Sequence, residues 1–311
     1  MEYTLSVLKD PCRIPELIEL FRTGLGETTE AYWKWRLFTD NGQPDRPVAI
    51  VIDDENGKMC GISSVLPVIY GEGLSMRKCM QFCDWVVHPV HRGKGLIRMS
   101  YEYACAYYLE RGYDFIIEFP NDNSYPIFQK YGFHEEPHIN CWNSTMHLKS
   151  LHKKLHDFQI GDTEVRFSAV CPLGEEAFSR EDRQYRSSEY LRWKYDLNPA
   201  TVYHWVTIWE REKCRGYIVY TITKGRLRTA VNVYDWEYTS ADSTLLNEIF
   251  HRIGKQGNYI SVWGRYSQEQ RKLLENCGLR KKEGGTRLMM KAISEKGVPF
   301  PLTLTRIDTD Y

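Results

Sequence analysis

Two glycines and three cations stand between an apolar strand and a helix in the segment WVVHPVHRGKGLIRM, residues 85–99. Gly93 and Gly95 have no side chains, so the backbone can take positive φ angles there and lie close to a bulky anion. The first N–H groups of the following helix have no partners within the helix, and the helix dipole attracts negative charge. Arg92 or Lys94 would add charge-assisted hydrogen bonds worth about 1.5 to 3 kcal/mol. The segment therefore predicts a binding site for an anion such as a diphosphate.

A strand and a helix must hold this turn in place, and the hydrophobic pattern predicts both. The first half of the sequence is predicted to contain two helices, several strands, a long helix, a strand, a short helix and a last strand. The long helix follows the turn and ends at Gly112, as a glycine C-cap would end it. The next strand, DFIIEFP, is apolar enough to lie inside a sheet.

Length and composition limit the possible functions. A chain of 311 residues favours two domains. Lys and Arg total 41, and Asp and Glu also total 41, so no net charge attracts the protein to nucleic acid or to a membrane. The sequence contains neither a long apolar run nor a signal peptide, which predicts a cytoplasmic protein. Nine cysteines without a CxxC pair predict neither disulfides nor a metal site.

The second half of the chain repeats features of the first half in the same order. YWKWR (32–36) is followed later by YLRWK (190–194), CDWVV by VYDWEY, and KYGF by NCGL. Ordered matches of this kind predict a duplicated unit. After Asp235 the second copy lacks the HRGKG turn, so only the first copy is predicted to bind the anion. The predicted organisation is a binding domain at 1–148, a basic linker at 149–162, a second domain at 163–293 and a tail at 294–311.

The turn and the elements around it resemble the acetyl-CoA-binding core of the GNAT acyltransferase superfamily, over residues 45–135. The family signature is R/Q-x-x-G-x-G/A, and its last position is Ile97 here. The resemblance implies an α/β (α+β) fold with two tandem GNAT-like domains, the second one degenerate. Each domain would have a mixed, mostly antiparallel central sheet flanked by helices, with a splayed strand pair in the cofactor-binding half.

The resemblance also implies that acetyl-CoA is the donor substrate and that the strand before the turn offers backbone groups to the pantetheine arm. The residues predicted to bind acetyl-CoA are Trp85, Val86, Val87, Arg92, Gly93, Lys94, Gly95, Leu96, Ile97, Asn121 and Phe128.

The sequence offers several candidates for the catalytic groups. The family places a tyrosine, which protonates the departing thiolate, where this chain has Phe128; Tyr125 is the preferred substitute and Tyr131 the alternative. An alkylamine has a pKa near 10.4, so a base must accept its proton. Glu118 and Asp84 are the candidates, because both are acids within apolar strands. A thiol is already a fair leaving group, so departure of the thiolate without a protonating residue is a further alternative.

The predicted function is transfer of an acetyl group to a primary amine of a small molecule, such as an amino sugar or a polyamine, by direct attack in a ternary complex. The second domain would shape the acceptor site, and the protein would be a monomer or a homodimer. Two alternatives stay open: a CoA-binding sensor without turnover, and a transferase that uses aminoacyl-tRNA.

Overall fold

The structure is a computed structural model that describes residues 2–71, 76–145, 155–174, 184–226, 228–238, 243–295 and 302–306. The described part is mixed α/β, with helices packed on a mostly antiparallel sheet of 14 strands, as predicted. The strands are β1 (Thr4–Val7), β2 (Val48–Asp53), β3 (Met59–Tyr70), β4 (Arg77–Val87), β5 (Phe115–Glu118), β6 (His134–Thr145), β7 (Phe158–Ile160), β8 (Thr163–Ser168), β9 (His204–Glu210), β10 (Lys213–Lys224), β11 (Thr229–Tyr238), β12 (Tyr259–Arg265), β13 (Arg280–Ala292) and β14 (Leu304–Thr305). The helices are α1 (Ile14–Arg22), α2 (Glu30–Phe38), α3 (Leu96–Leu109), α4 (Tyr125–Lys130), α5 (Ser188–Leu191), α6 (Ser243–Gly254) and α7 (Gln268–Asn276).

The order of strands shows two similar halves joined edge to edge. It is β1-β2-β3-β4-β5-β13-β6-β12-β11-β10-β9-β8-β7, with β14 paired to β12. In each half an antiparallel series leads to one parallel pair, which is β4 with β5 and β11 with β12. Strand β1, which the hydrophobic pattern did not predict, pairs with β2 and starts the series of the first half.

The two halves exchange strands where they meet. β13, from the end of the chain, pairs with β5 of the first half, and β6 pairs with β12 of the second half. β6 and β13 also pair with each other, so the sheet is continuous. Strand pairing therefore crosses the predicted boundary between 1–148 and 163–293, and the division of the chain into domains stays a prediction.

Two tryptophans at corresponding positions of the two halves pack against each other. Trp35 and Trp193 stack with ring centroids 4.8 Å apart and an angle of 19° between the rings. Each indole N–H donates to the backbone carbonyl of the other residue, at 2.7 Å from Trp35 and 3.2 Å from Trp193. Both side chains belong to a buried core that spans the two halves. The repeated tryptophans thus form packing between the halves.

The parallel pair of the first half separates earlier than its counterpart. β4 and β5 pair only at Cys79–Phe115 and Met80–Ile116. β11 and β12 pair at four positions, from Ala230–Tyr259 to Val233–Val262. By this register, Glu118 occupies the position that Val262 has in the second half. The predicted splayed strand pair is therefore present in the first half.

Other predicted segments are seen in part. In the predicted linker, residues 149–154 lie outside the described residues, and Phe158–Ile160 form β7. In the predicted tail, residues 296–301 and 307–311 lie outside them, and Leu304–Thr305 form β14. None of the helices in the described ranges combines the length and the apolar character needed to cross a bilayer. All nine cysteines are free thiols, and within the described residues no three potential metal-ligating side chains come together.

Candidate active site

The glycine turn has the backbone geometry that its sequence requires. Gly93 and Gly95 have φ angles of +74° and +76°, in the left-handed region where a side chain is strained. Gly95 is the N-cap of α3 and supplies no side chain to cap the helix. The first N–H groups of α3 therefore have no partner within the helix and can bind an anion.

A cavity of about 530 Å³ lies in front of this turn. It is lined by eight of the residues predicted to bind the donor, which are Trp85, Val86, Val87, Arg92, Gly93, Gly95, Leu96 and Ile97. His91, Arg98 and Lys130 add basic side chains to the wall. Lys94 does not line it; its ammonium lies 5.9 Å from the centre of the Tyr3 ring. The cavity thus combines unpaired helix N–H groups with cations, which suits a phosphate-bearing ligand.

A second cavity, of about 340 Å³, lies where β4 and β5 separate. It shares four lining residues with the first cavity: Gly24, Trp85, Ile97 and Ile127. We call the two cavities together the groove. Asn121 and Phe128, also predicted to bind the donor, line the second cavity. The groove runs from the glycine turn to the carboxyl end of β5.

Glu118 lies at the separated end of the groove and is only 3% exposed. Its Oε1 accepts a hydrogen bond of 2.6 Å from the backbone N–H of Phe82. In the second half the backbone of Val262 pairs with Val233 at the matching position, so the carboxyl replaces a strand contact. Burial raises the pKa of the Glu118 carboxyl well above its usual value, and the Phe82 hydrogen bond lowers it in part. A raised pKa makes the ionised carboxylate a stronger base than an exposed one.

Asp84, the other predicted base, belongs to a different network. Its Oδ2 accepts a hydrogen bond of 2.5 Å from the Ser64 hydroxyl and lies 3.6 Å from the guanidinium of Arg36. It does not line either cavity of the groove. The matching acid of the second half, Asp235, is fully buried with Arg186 at 2.7 Å. The structure thus gives these two acids a similar ion-pair environment and does not bring Asp84 together with Glu118.

The three aromatic residues considered for protonating the departing thiolate lie in different environments. The Tyr125 hydroxyl donates to Glu135 at 2.8 Å and is exposed outside the groove. This hydrogen bond is the main cause of the raised pKa of Tyr125. Phe128 is buried and stacks on Trp85, with ring centroids 5.2 Å apart. Tyr131 lines the first cavity, and burial raises the pKa of its phenol.

Sequence reasoning missed several lining residues. Gly24 comes from the turn after α1, about 60 residues before the strand that it faces, and no local pattern marks it. Arg98 and Lys130 come from α3 and α4, where a basic residue usually points to solvent. Only the spacing of Arg98 from Gly95, and of Lys130 from Gly132, could have indicated that these two side chains face the groove.

The second half has no comparable turn in its sequence. The segment that would correspond to HRGKG includes residues 239–242, which lie outside the described residues. The Asp235 carboxyl is instead occupied by Arg186, Tyr217 and Thr305, at 2.7, 2.7 and 3.0 Å.

Comparison with known proteins gives a consistent result. Residues 14–133 match the profile of the acetyltransferase (GNAT) family. A search of curated proteins found no match.

Solved structures share the fold over nearly the whole chain. A probable N-acyltransferase of unknown function from Enterococcus faecalis is 12% identical, with a TM-score of 0.68, covering 94% of this chain and 73% of that one. A GCN5-related N-acetyltransferase from Anabaena variabilis is 14% identical, with a TM-score of 0.66 and coverages of 94% and 73%. A tandem GNAT protein from the clavulanic acid biosynthesis pathway is 11% identical, with a TM-score of 0.53 and coverages of 95% and 100%. These similarities confirm the predicted fold class, including the tandem arrangement.

Proposed function

We propose that the protein transfers an acetyl group from acetyl-CoA to a primary amine of a small molecule, and the match of residues 14–133 to the acetyltransferase (GNAT) family supports this. The observation that carries the proposal is the groove itself. An anion-binding turn lies at one end of it, and a buried carboxyl with a raised pKa lies at the other.

The first cavity fits the phosphate-bearing part of acetyl-CoA. The N–H groups at the start of α3 would hold the diphosphate, with about 0.3 to 1 kcal/mol from the helix dipole. Lys130 would neutralise further phosphate charge, together with Arg98, which also forms an ion pair with Glu102 at 2.7 Å. The edge of β4 beyond Met80 is not paired with β5, so its backbone groups can bind the pantetheine arm. When bound, acetyl-CoA supplies an activated thioester.

The second cavity fits the amine. Glu118 is the only acid among the described residues that line it, so Glu118 would accept the proton of the incoming ammonium. A positioned base contributes about 10² to 10⁴ to the rate. Tyr131, rather than Tyr125, would donate a proton to the departing thiolate, because Tyr131 lines the groove and Tyr125 does not. The raised pKa of Tyr131 keeps its phenol protonated at neutral pH. The second half of the molecule would complete the acceptor site.

The test is incubation with labelled acetyl-CoA and a panel of primary amines, followed by detection of labelled amide. Transfer supports the proposal. Binding of acetyl-CoA without transfer to any amine would instead support a CoA sensor. Absence of acetyl-CoA binding would contradict the proposed donor and favour the aminoacyl-tRNA alternative.

A matched pair of glycine variants tests the donor site. Gly95→Val should abolish the acetyl-CoA binding measured by calorimetry, because a side chain at this φ strains the turn that lines the cavity. Gly57, in the turn between β2 and β3, has a φ of +74° and equally open surroundings, but it lies outside the groove. Gly57→Val should therefore keep the affinity while imposing a similar backbone strain. Equal affinity in both variants would place the donor site elsewhere.

A further inference from the structure

A buried amide faces the acceptor end of the groove. Gln81 lies on β4, is 4% exposed and lines the second cavity together with Glu118. The next residue, Phe82, donates its backbone N–H to the Glu118 carboxyl. The side chain of Gln81 makes no hydrogen bond to the described residues. The amide therefore opens on the cavity, where a ligand would replace water as its hydrogen-bond partner.

The second half of the molecule provides an internal comparison. Asn232 occupies the matching position on β11, one residue before Val233, as Gln81 precedes Phe82. The Asn232 side chain donates to the Thr223 hydroxyl at 3.1 Å. The amide in the half without the glycine turn is half-buried and has a protein partner, whereas the amide in the half with the turn has none among the described residues.

The charges around Gln81 narrow the kind of group that it can bind. None of the described residues that line the second cavity is Lys, Arg or His. A carboxylate or phosphate beside the amine would therefore lack a cation. A second ammonium would lack a carboxylate, because Glu118 is already assigned to the reacting amine. The remaining partner for the Gln81 amide is a neutral group that both donates and accepts hydrogen bonds, and a hydroxyl is such a group.

We infer that Gln81 forms a specificity subsite for a hydroxyl group beside the reacting amine, so that the acceptor is an amino alcohol, as an amino sugar is, rather than a polyamine. This inference rests on the proposed function, since it assigns the amine to the cavity that contains Glu118. A site with a buried polar group rejects analogues that leave the group unpaired.

The test compares pairs of amines that differ mainly in their hydroxyls: 2-aminoethanol with n-propylamine, and D-glucosamine with cyclohexylamine. For each amine, kcat/KM is measured with acetyl-CoA, and Kd is measured by calorimetry on the CoA-saturated protein. The parent protein should favour the hydroxylated member of each pair by at least about tenfold. Gln81→Met, similar in size but without the amide, should remove the preference. Asn232→Leu, the matched change in the second half, should retain it.

A third variant keeps the test decisive if Gln81→Met does not fold. Gln81→Glu adds an acid to the cavity, and a charge-assisted hydrogen bond to the second ammonium should improve kcat/KM for putrescine relative to 2-aminoethanol by about tenfold. The inference is overturned if plain amines match hydroxylated ones in the parent, if neither binds, or if the Gln81 variants leave the preference unchanged. A Gln81-dependent binding preference without acetyl transfer would support the subsite and refute the proposed function.

Discussion

Replacing Glu118 by glutamine separates the chemistry of this side chain from its structural contact. The glutamine carbonyl can still accept the hydrogen bond from Phe82 N–H, so the separation of β4 and β5 should be preserved. The variant cannot accept a proton. We expect kcat/KM for the amine to fall by about 10² to 10⁴, which corresponds to about 3 to 5 kcal/mol of transition-state stabilisation. The Kd of acetyl-CoA, measured by calorimetry, should change less than about twofold, because Glu118 lies at the opposite end of the groove from the glycine turn.

The same variant has a second expected effect, on stability. The unfolded carboxyl has a pKa near 4.5, and burial raises the folded pKa above that value. The contribution of Glu118 to stability is therefore fully present below the unfolded pKa and is lost as the pH rises toward the folded pKa. The loss is about 1.4 kcal/mol for each pH unit within this window. Urea unfolding across the window should show Glu118→Gln gaining stability relative to the parent as the pH rises.

Two results would refute this reasoning. Unchanged activity in Glu118→Gln, with an unchanged pH profile of kcat/KM, would show that another group accepts the proton. A constant stability difference between variant and parent from pH 4 to pH 8 would show that the pKa of the carboxyl is not raised by burial. Glu135→Gln is the matched control, because Glu135 is an exposed acid outside the groove.

Three other variants address the remaining assignments. Tyr131→Phe should lower kcat about tenfold in steady-state kinetics, and the effect is modest because a thiolate leaves readily. Tyr125→Phe should leave kcat unchanged. Equal effects of the two substitutions would contradict the assignment of Tyr131 as the proton donor. Asp84→Asn should lower the free energy of unfolding in urea by about 1 to 3 kcal/mol, because it removes the carboxylate next to the buried Arg36. The kcat per folded molecule should stay the same. A loss of kcat without a loss of stability would instead show that Asp84 is catalytic. Trp193→Ala should lower the free energy of unfolding by about 3 to 5 kcal/mol. Unfolding monitored by circular dichroism should show both halves unfolding in a single transition at a lower midpoint. Two separate transitions would contradict shared packing between the halves.

Features that depend on neighbouring residues could be predicted from the sequence. The glycine turn is local: two residues with positive φ and a helix start are fixed by adjacent positions, so eight of the predicted donor residues line the first cavity. The sequence also suggested a buried carboxyl, because Glu118 is an acid in an apolar strand. Such an acid is costly unless it has a partner or a function.

Features that depend on tertiary packing could not be predicted in this way. Helical spacing alone puts Tyr125 and Phe128 on one face, but the hydrogen bond to Glu135 on β6 turns the Tyr125 hydroxyl away from the groove. Gln81 belongs to a strand with mixed polar and apolar residues, and nothing in its local pattern shows that it is buried. The pairing of β13 with β5 joins residues about 170 positions apart, which no local periodicity reports.

The exchange of β6 and β13 between the halves also affects folding during synthesis. During translation, β5 emerges from the ribosome long before β13, which is its neighbour in the sheet. The nascent first half must therefore wait with one strand edge uncovered until synthesis reaches the residues near Ala292. An exposed strand edge is prone to pair with other chains. A chaperone that binds nascent chains, or faster elongation, should therefore raise the yield of soluble protein. A gene truncated after the first half should give an insoluble product.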